Sequence, residues 1–139
     1  FRNHSEPASL LLHFIQKAEI SPEPQAEKPI FSKEQFTLTR FGVFSGEPVD
    51  VTLRIHPEIK RYFIGRVWHE SQQITKNEDG SLTLTMQVPL APDFISWILS
   101  WGRHIQALSP PGLIEKIKAE AEAIARMYQP PRNETPPPA

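Results

Sequence analysis

The sequence lacks several features that would define whole classes of protein. It contains no cysteine, which excludes disulfide bridges, thiol nucleophiles and cysteine-rich zinc sites and favours a reducing compartment. No apolar run approaches the roughly 20 residues that span a bilayer, and the N-terminus lacks the segments of a signal peptide. The formal net charge of −1 argues against a protein that coats duplex DNA through bulk charge. These absences predict a cytoplasmic protein without a membrane segment.

Proline is abundant instead, and its positions predict where a compact core begins and ends. Among the 15 prolines, one group lies at residues 22–29 and another at residues 130–138. The final stretch PPRNETPPPA has no large apolar side chain, so residues 130–139 are predicted to form a disordered tail. Residues 21–29 are predicted to be extended, as the first part of a linker and connector that covers residues 21–48.

The N-terminal segment is predicted to be a piece of something larger. Residues 10–15 read LLLHFI, which is apolar enough for one buried strand. One strand cannot bury itself, so residues 1–20 are interpreted as the remnant of a larger domain. The first residue is Phe1 rather than methionine, which we take as support for a chain cut from a longer protein.

Alternation of apolar and polar residues predicts the strands of the central region. Residues 49–55 and 82–88 alternate at every second position, the period of a strand with one buried face. Residues 72–76 are predicted to form a weaker strand, and residues 105–108 a short one. The sequence Asn-Glu-Asp-Gly at 77–80 is typical of a turn whose last residue has a positive φ.

Three helices are predicted between and after these strands. Pro57 opens a short helical stretch that reaches about residue 63, and Pro92 opens a second helix that Gly102 ends. Apolar residues at helical spacing predict an amphipathic last helix over residues 113–128. The order predicts an α+β, ferredoxin-like β-α-β-β-α-β domain over residues 49–129. Its four-stranded antiparallel sheet would carry helices on one face, with an added C-terminal helix.

An ordered set of motifs carries a resemblance to a known family. The features are a V-x-L-R strand, Arg66 and Trp68 before H-x-S-Q, a D-G-S-L hairpin, the helix W-I-L-S-W-G, and a helix after L-S-P-P. Together they resemble the WCX domain, the C-terminal extension of bacterial WYL-domain transcriptional regulators. The stretch FSKEQFTLTRFGVFSGE resembles the connector that precedes this extension, and residues 9–20 resemble the last strand of the WYL barrel.

The resemblance implies a regulator that responds to nucleotides or single-stranded DNA and works as a homodimer. Operator DNA would be contacted only through a helix-turn-helix domain, which this chain does not contain. Most of the WYL barrel is absent as well, so any ligand contact of that barrel cannot be assigned to residues here.

The segment from Arg54 to Gln72 holds the candidate binding residues. Arginine binds phosphate oxygens through two parallel hydrogen bonds, and histidine and glutamine can contact bases or sugar hydroxyls. The predicted ligand or nucleic-acid site is therefore Arg66, His69, Arg54, Arg61, Gln72 and His56. Arg66 and His69 come first because they flank Val67 and Trp68, which are expected to pack and hold them in place. The alternative is a solvated surface around a short helix.

Two apolar stripes also leave alternatives open. Phe94, Trp97 and Trp101 are expected to pack in the core, although an aromatic interface would have the same spacing. The last helix either completes the core or pairs with a second subunit. The predicted polar face of the sheet carries threonine and glutamine where an RNA-recognition sheet would carry aromatic rings, so generic RNA binding is disfavoured.

Catalysis finds little support in the sequence. The five histidines show no i,i+4 pair, and neither G-x-S-x-G nor a phosphate-binding glycine loop occurs. We therefore predict no enzyme, no metal site and no cofactor. The leading hypothesis is an effector-sensing and dimerisation module of a transcriptional regulator. A purely structural protein-interaction module is the main rival, and a small enzyme acting on a phosphorylated metabolite is a weaker one.

Overall fold

Four strands form one antiparallel sheet, and its order confirms the predicted fold. A computed structural model describes residues 12–20, 22 and 32–129 of the chain. The strands are β1 (Val49–Ile55), β2 (Gln73–Lys76), β3 (Leu82–Val88) and β4 (Ile105–Ser109). They lie in the order β2-β3-β1-β4, and every neighbouring pair is antiparallel. This is the arrangement expected of a ferredoxin-like α+β domain.

The helices connect these strands in the predicted order. A six-residue helix that was not predicted from the sequence, α1 (Lys33–Leu38), precedes the sheet. The 3-10 helix Pro57–Tyr62 links β1 to β2, and α2 (Pro92–Ser100) followed by a short turn links β3 to β4. The last helix is α3 (Pro111–Met127). No helix of the described ranges is both long enough and apolar enough to cross a membrane.

The period-2 alternation of β1 and β3 decides which face of the sheet is buried. Val51, Leu53 and Ile55 of β1 are at most 1% exposed, and the apolar residues of β3 are buried beside them. Full burial of one such side chain stabilises the fold by about 1.5–3 kcal/mol. The polar residues of the two strands share the opposite, open face, where Thr52 pairs with Thr85 and Arg54 with Thr83.

Aromatic rings close the core on the helical side. Phe63 and Phe94 are fully buried, and the three tryptophans of the chain, Trp68, Trp97 and Trp101, pack around Phe63. The indole N–H groups of all three are buried without a hydrogen-bond acceptor in the described part of the chain. Ring contacts and burial therefore hold this aromatic cluster together, and the core role predicted for the α2 stripe is confirmed.

The strand predicted at residues 10–15 is wrong in the part that the structure describes. Leu12–Phe14 form a 3-10 turn, and Leu12 and Ile15 are 83% and 47% exposed. A strand needs a neighbour for its backbone hydrogen bonds, and none of the described strands pairs with this segment. The interpretation of residues 1–20 as a barrel remnant stays a prediction, as do the extended conformation of residues 21–29 and the disordered tail. Residues 1–11, 21, 23–31 and 130–139 lie outside the described part.

Candidate functional site

The predicted binding residues do not form one site. Arg54 and His56 line a cavity of about 390 Å³ at one end of the sheet, whereas His69 lines a different pocket near α1. We call the first the sheet-end cavity, and its polar walls are Arg54, His56, Asp79, Arg103, His104 and Gln106. Only two of the six predicted residues therefore contribute to it.

Arg54 projects from the open face of β1 and is held in place by the hairpin turn. Its guanidinium forms a salt bridge with Asp79 in the turn between β2 and β3, where Gly80 adopts a φ of 79°. Asp79 also accepts hydrogen bonds from the hydroxyl and the backbone N–H of Ser81, at 2.6 Å and 3.0 Å. These bonds to Ser81, together with Arg54, lower the pKa of Asp79 to about 2. The carboxylate thus stays ionised at neutral pH and keeps Arg54 at the cavity wall.

The two histidines of the sheet-end cavity differ in their hydrogen bonds. His56 precedes the 3-10 helix, and its Nδ1 accepts from the backbone N–H of Glu58 at 3.3 Å, which leaves Nε2 to carry the proton. His104 contacts two oxygens, the carbonyl of Trp101 at 3.1 Å and the carboxylate of Glu58 at 3.0 Å. Both ring nitrogens of His104 are therefore engaged, while the Nε2–H of His56 has no partner among the described residues.

Arg103 and Gln106 complete the sheet-end cavity, and the sequence reasoning missed both. Each side chain is exposed, and neither has a hydrogen-bond or ion-pair partner in the part of the chain that the structure describes. They reach the cavity because β4 pairs antiparallel with β1, so that Gln106 lies opposite Arg54. The predicted strand order already implied that the start of β4 lies beside the end of β1. That adjacency is the signal that could have identified them.

Two predicted arginines pack on neighbouring aromatic rings. The guanidinium of Arg61 donates to the hydroxyl of Tyr62 at 2.6 Å and lies 4.8 Å from the centre of its ring. Arg66 lies over the ring of Trp68, at 3.8 Å from its centre. A cation in this position is attracted by the face of the ring. Neither arginine lines the sheet-end cavity.

Gln72 closes the loop that carries Arg66 and His69. Its side-chain oxygen accepts from the backbone N–H groups of Trp68 and His69, at 2.7 Å and 3.3 Å, and its amide donates to the carbonyl of Arg66 at 2.7 Å. The side chain therefore uses its oxygen and one N–H of its amide inside the loop. This arrangement explains Gln72 as a residue that shapes the loop.

His69 attaches the loop to the connector, which we define as residues 32–48. Its side chain is only 7% exposed. Nε2 donates to the carbonyls of Thr37 and Arg40, both at 3.1 Å, and Nδ1 accepts from the backbone N–H of Ser71 at 3.2 Å. This geometry fits a neutral ring with its proton on Nε2. The prediction that His69 is available to a ligand is not supported by this placement.

A second attachment of the connector lies at the start of α2. The backbone N–H groups of Val43 and Phe44 donate to one carboxylate oxygen of Asp93, at 2.8 Å and 3.1 Å. The ring of Phe41 packs against those of Phe94 and Trp97, at 4.8 Å and 5.1 Å between ring centres. The connector is thus docked on the domain by both polar and aromatic contacts.

His69→Ala is expected to lower the free energy of unfolding by about 2 kcal/mol, since two backbone carbonyls lose a buried donor. The amide protons of Val43 and Phe44 should also exchange faster, because the connector is released at one of its attachments. Chemical denaturation and amide hydrogen exchange measure both effects. His56→Ala, at a half-exposed histidine, serves as the control and should change neither by a comparable amount. Equal effects of the two variants would contradict a structural role for His69.

The sheet-end cavity carries groups that can bind an anion, beside one carboxylate, that of Asp79, which is already paired with Arg54. Arg54 and Arg103 supply guanidinium groups, while His56 and Gln106 supply further N–H donors. Guanidinium groups match the oxygens of phosphates and carboxylates in geometry and charge. Among the described residues, no group of three His, Asp or Glu side chains could hold a metal ion.

Comparison with known proteins assigns the chain to a family. No curated protein matches the sequence. The family model of the WCX domain matches residues 47–125, which is more than half of the 139 residues and includes all four strands. The match confirms the resemblance to the WCX extension and connects the chain with transcriptional regulators that carry this module. The chain belongs to the WCX domain family.

Proposed function

We propose that this chain is the effector-sensing and dimerisation module of a bacterial transcriptional regulator. Its effector would be a nucleotide or a short single strand of nucleic acid, bound at the sheet-end cavity. Membership of the WCX family supports the regulatory role. The observation that carries the proposal is the convergence of two arginines, one histidine with an available N–H and one glutamine on a single cavity. In this proposal, effector binding changes how two copies pair and so how DNA-binding domains elsewhere in the regulator reach their operator.

The charges around the sheet-end cavity support an anionic effector. Asp79 is paired with Arg54, and Glu58 lies within hydrogen-bond distance of His104, so each carboxylate already has a partner. Arg103 adds a positive charge without a partner among the described residues. The proposed binding residues are therefore Arg54, His56, Arg103 and Gln106. Arg61, Arg66, His69 and Gln72 are assigned to internal contacts instead.

A fluorescent single-stranded oligonucleotide, titrated against the protein at low and moderate salt, tests this proposal. We expect saturable binding that weakens with salt, because phosphate contacts release counterions. Arg103→Ala should weaken binding by about tenfold or more, the effect of losing charge-assisted hydrogen bonds. Arg66→Ala removes the same charge from a different surface, so it serves as the matched control and should retain most of the affinity. Absence of binding by the unaltered protein would contradict the proposal.

The last helix favours a second candidate function, a dimerisation module without a ligand. Only Leu113 of α3 is buried, whereas Ile124 and Met127 are 46% and 78% exposed. The first half of α3 is held by the domain, since Lys116 donates to the carbonyl of Leu90 at 3.2 Å. Its second half thus leaves apolar side chains half or largely exposed among the described residues, as expected of a surface that meets a second copy.

Sedimentation of the protein tests this pairing. We expect a dimer that Ile124→Glu converts to a monomer, because a carboxylate would enter an apolar interface. Ala119→Glu adds the same charge at an exposed position of another face of α3 and should leave the dimer intact. A stable dimer that binds no oligonucleotide would favour the module without a ligand.

A further inference from the structure

We propose that the sheet-end cavity recognises a phosphate monoester, the terminal phosphate of a nucleotide or of a short strand, while the remainder of the ligand follows the open face of the sheet. This inference rests on the proposed function and names the chemical group that the effector presents. A monoester has three non-bridging oxygens and up to two negative charges, whereas an internal phosphodiester has two such oxygens and one charge.

The number of available donors favours the monoester. Arg103 and Gln106 have no partner among the described residues, and His56 presents its Nε2–H. Arg54 uses one terminal nitrogen for Asp79, which leaves further guanidinium N–H groups available. Four side chains with available donors thus surround one cavity, and a group with three acceptor oxygens uses them more fully than one with two.

Asp79 positions Arg54 and does not compete with the ligand. Its oxygens are occupied by the N–H and hydroxyl of Ser81 and by Arg54 itself. The negative charge of Asp79 is therefore balanced within the turn, and the guanidinium is held at the cavity before any ligand arrives. A donor held in advance loses less conformational entropy on binding.

A neighbouring depression on the open face gives the rest of the ligand a place to lie. This groove has a volume of about 530 Å³ and shares Arg54 and Asp79 with the sheet-end cavity. Its further walls are Lys76, Asn77, Glu78, Thr83 and Leu108, the last 42% exposed. The hydroxyl and the apolar side chain suit a sugar-phosphate backbone, and the charges of Lys76 and Glu78 cancel. The cavity is also lined by Pro57 and Arg103, which belong to the chain connections at this end of the sheet. We therefore expect the end of the nucleic-acid ligand, and not its middle, to lie in the cavity.

Titration with a set of oligonucleotides tests the inference. All have the same sequence, and each carries either a hydroxyl or a phosphate at its 5′ or its 3′ end. We expect the protein to bind one of the phosphorylated forms at least tenfold more tightly than the hydroxyl form. This preference should disappear in Arg103→Ala and persist in Arg66→Ala. Circular dichroism of both variants checks that they fold, as expected for changes at exposed side chains.

Two further measurements separate the sources of the phosphate and the possible failures. Competition of a nucleoside monophosphate with the phosphorylated oligonucleotide would support recognition of the monoester. If Lys76→Ala weakens binding of the oligonucleotide but not of the nucleoside monophosphate, the groove is the path of the remaining nucleotides. Equal affinity for hydroxyl and phosphate ends, with binding still lost in Arg103→Ala, would overturn this inference and leave the proposed function standing. If no oligonucleotide binds, both fall.

Discussion

Phe63→Ala is expected to lower the free energy of unfolding by about 3–5 kcal/mol, the range observed when a buried phenylalanine is truncated. The side chain is fully buried, and its ring centre lies 5.2 Å from that of Trp101 and 5.8 Å from that of Trp68. Its removal leaves a cavity among rings that are too rigid to fill it. Small domains have total stabilities of about 5–15 kcal/mol, so a loss of this size would leave little.

Tryptophan fluorescence during urea denaturation measures this effect directly, because all three tryptophans of the chain belong to the aromatic cluster. The emission of the folded variant should also shift as water enters the cluster. Phe44→Ala is the matched control, since the ring of Phe44 is 52% exposed and its loss should cost less than about 1 kcal/mol. Similar losses for the two variants would show that the cluster is not the main source of stability.

Gly42→Ala is expected to lower the free energy of unfolding by about 2–4 kcal/mol, through the combined effect of backbone strain and a steric clash. Gly42 has a φ of 97°, which L-residues rarely adopt. A Cβ atom at this position would lie 2.6 Å from the carboxylate oxygen of Asp93 that accepts from Val43 and Phe44. That oxygen can move away only if those two hydrogen bonds lengthen.

Gly65→Ala separates the two contributions. Gly65 has a φ of 79°, but a Cβ there would meet no atom within 4 Å. Gly65→Ala should therefore lower the free energy of unfolding through backbone strain alone, by about 1–2 kcal/mol. The difference between the two variants, measured by denaturation, reports the clash with Asp93. Faster amide exchange at Val43 and Phe44 should accompany Gly42→Ala and not Gly65→Ala. An equal cost at both positions would mean that the contact with Asp93 adds no stability.

The sequence predicted only part of the candidate site. Arg54 was assigned correctly to the open face because alternation along β1 decides which side chains are buried. His56 follows β1 directly and was included for its place in the basic segment. Arg103 and Gln106 were missed because they lie about 50 residues further along the chain and approach Arg54 only through strand pairing. The functional hypothesis came from the resemblance to WYL-domain regulators, and the family match supports the part of that resemblance that concerns the WCX domain.

Whether a polar side chain is available to a ligand or already hydrogen-bonded within the protein depended on the tertiary structure. His69 and Gln72 have the composition of a binding site, but their hydrogen bonds are made to the connector and to their own loop. Residue type determines how many donors and acceptors a side chain has. It does not determine whether a backbone carbonyl from a distant segment will lie within reach.

The sequence by itself therefore determined the elements of residues 49–129 and their order, since hydrophobic periodicity, proline and glycine act over a few neighbouring residues. Strand alternation gave the buried and open faces, and the order of elements gave the topology of the sheet. The tertiary structure alone decided which cations share a cavity, which histidine is buried, and how the connector docks. Those outcomes depend on distances between segments far apart in the chain, and such distances follow from packing rather than from local preference.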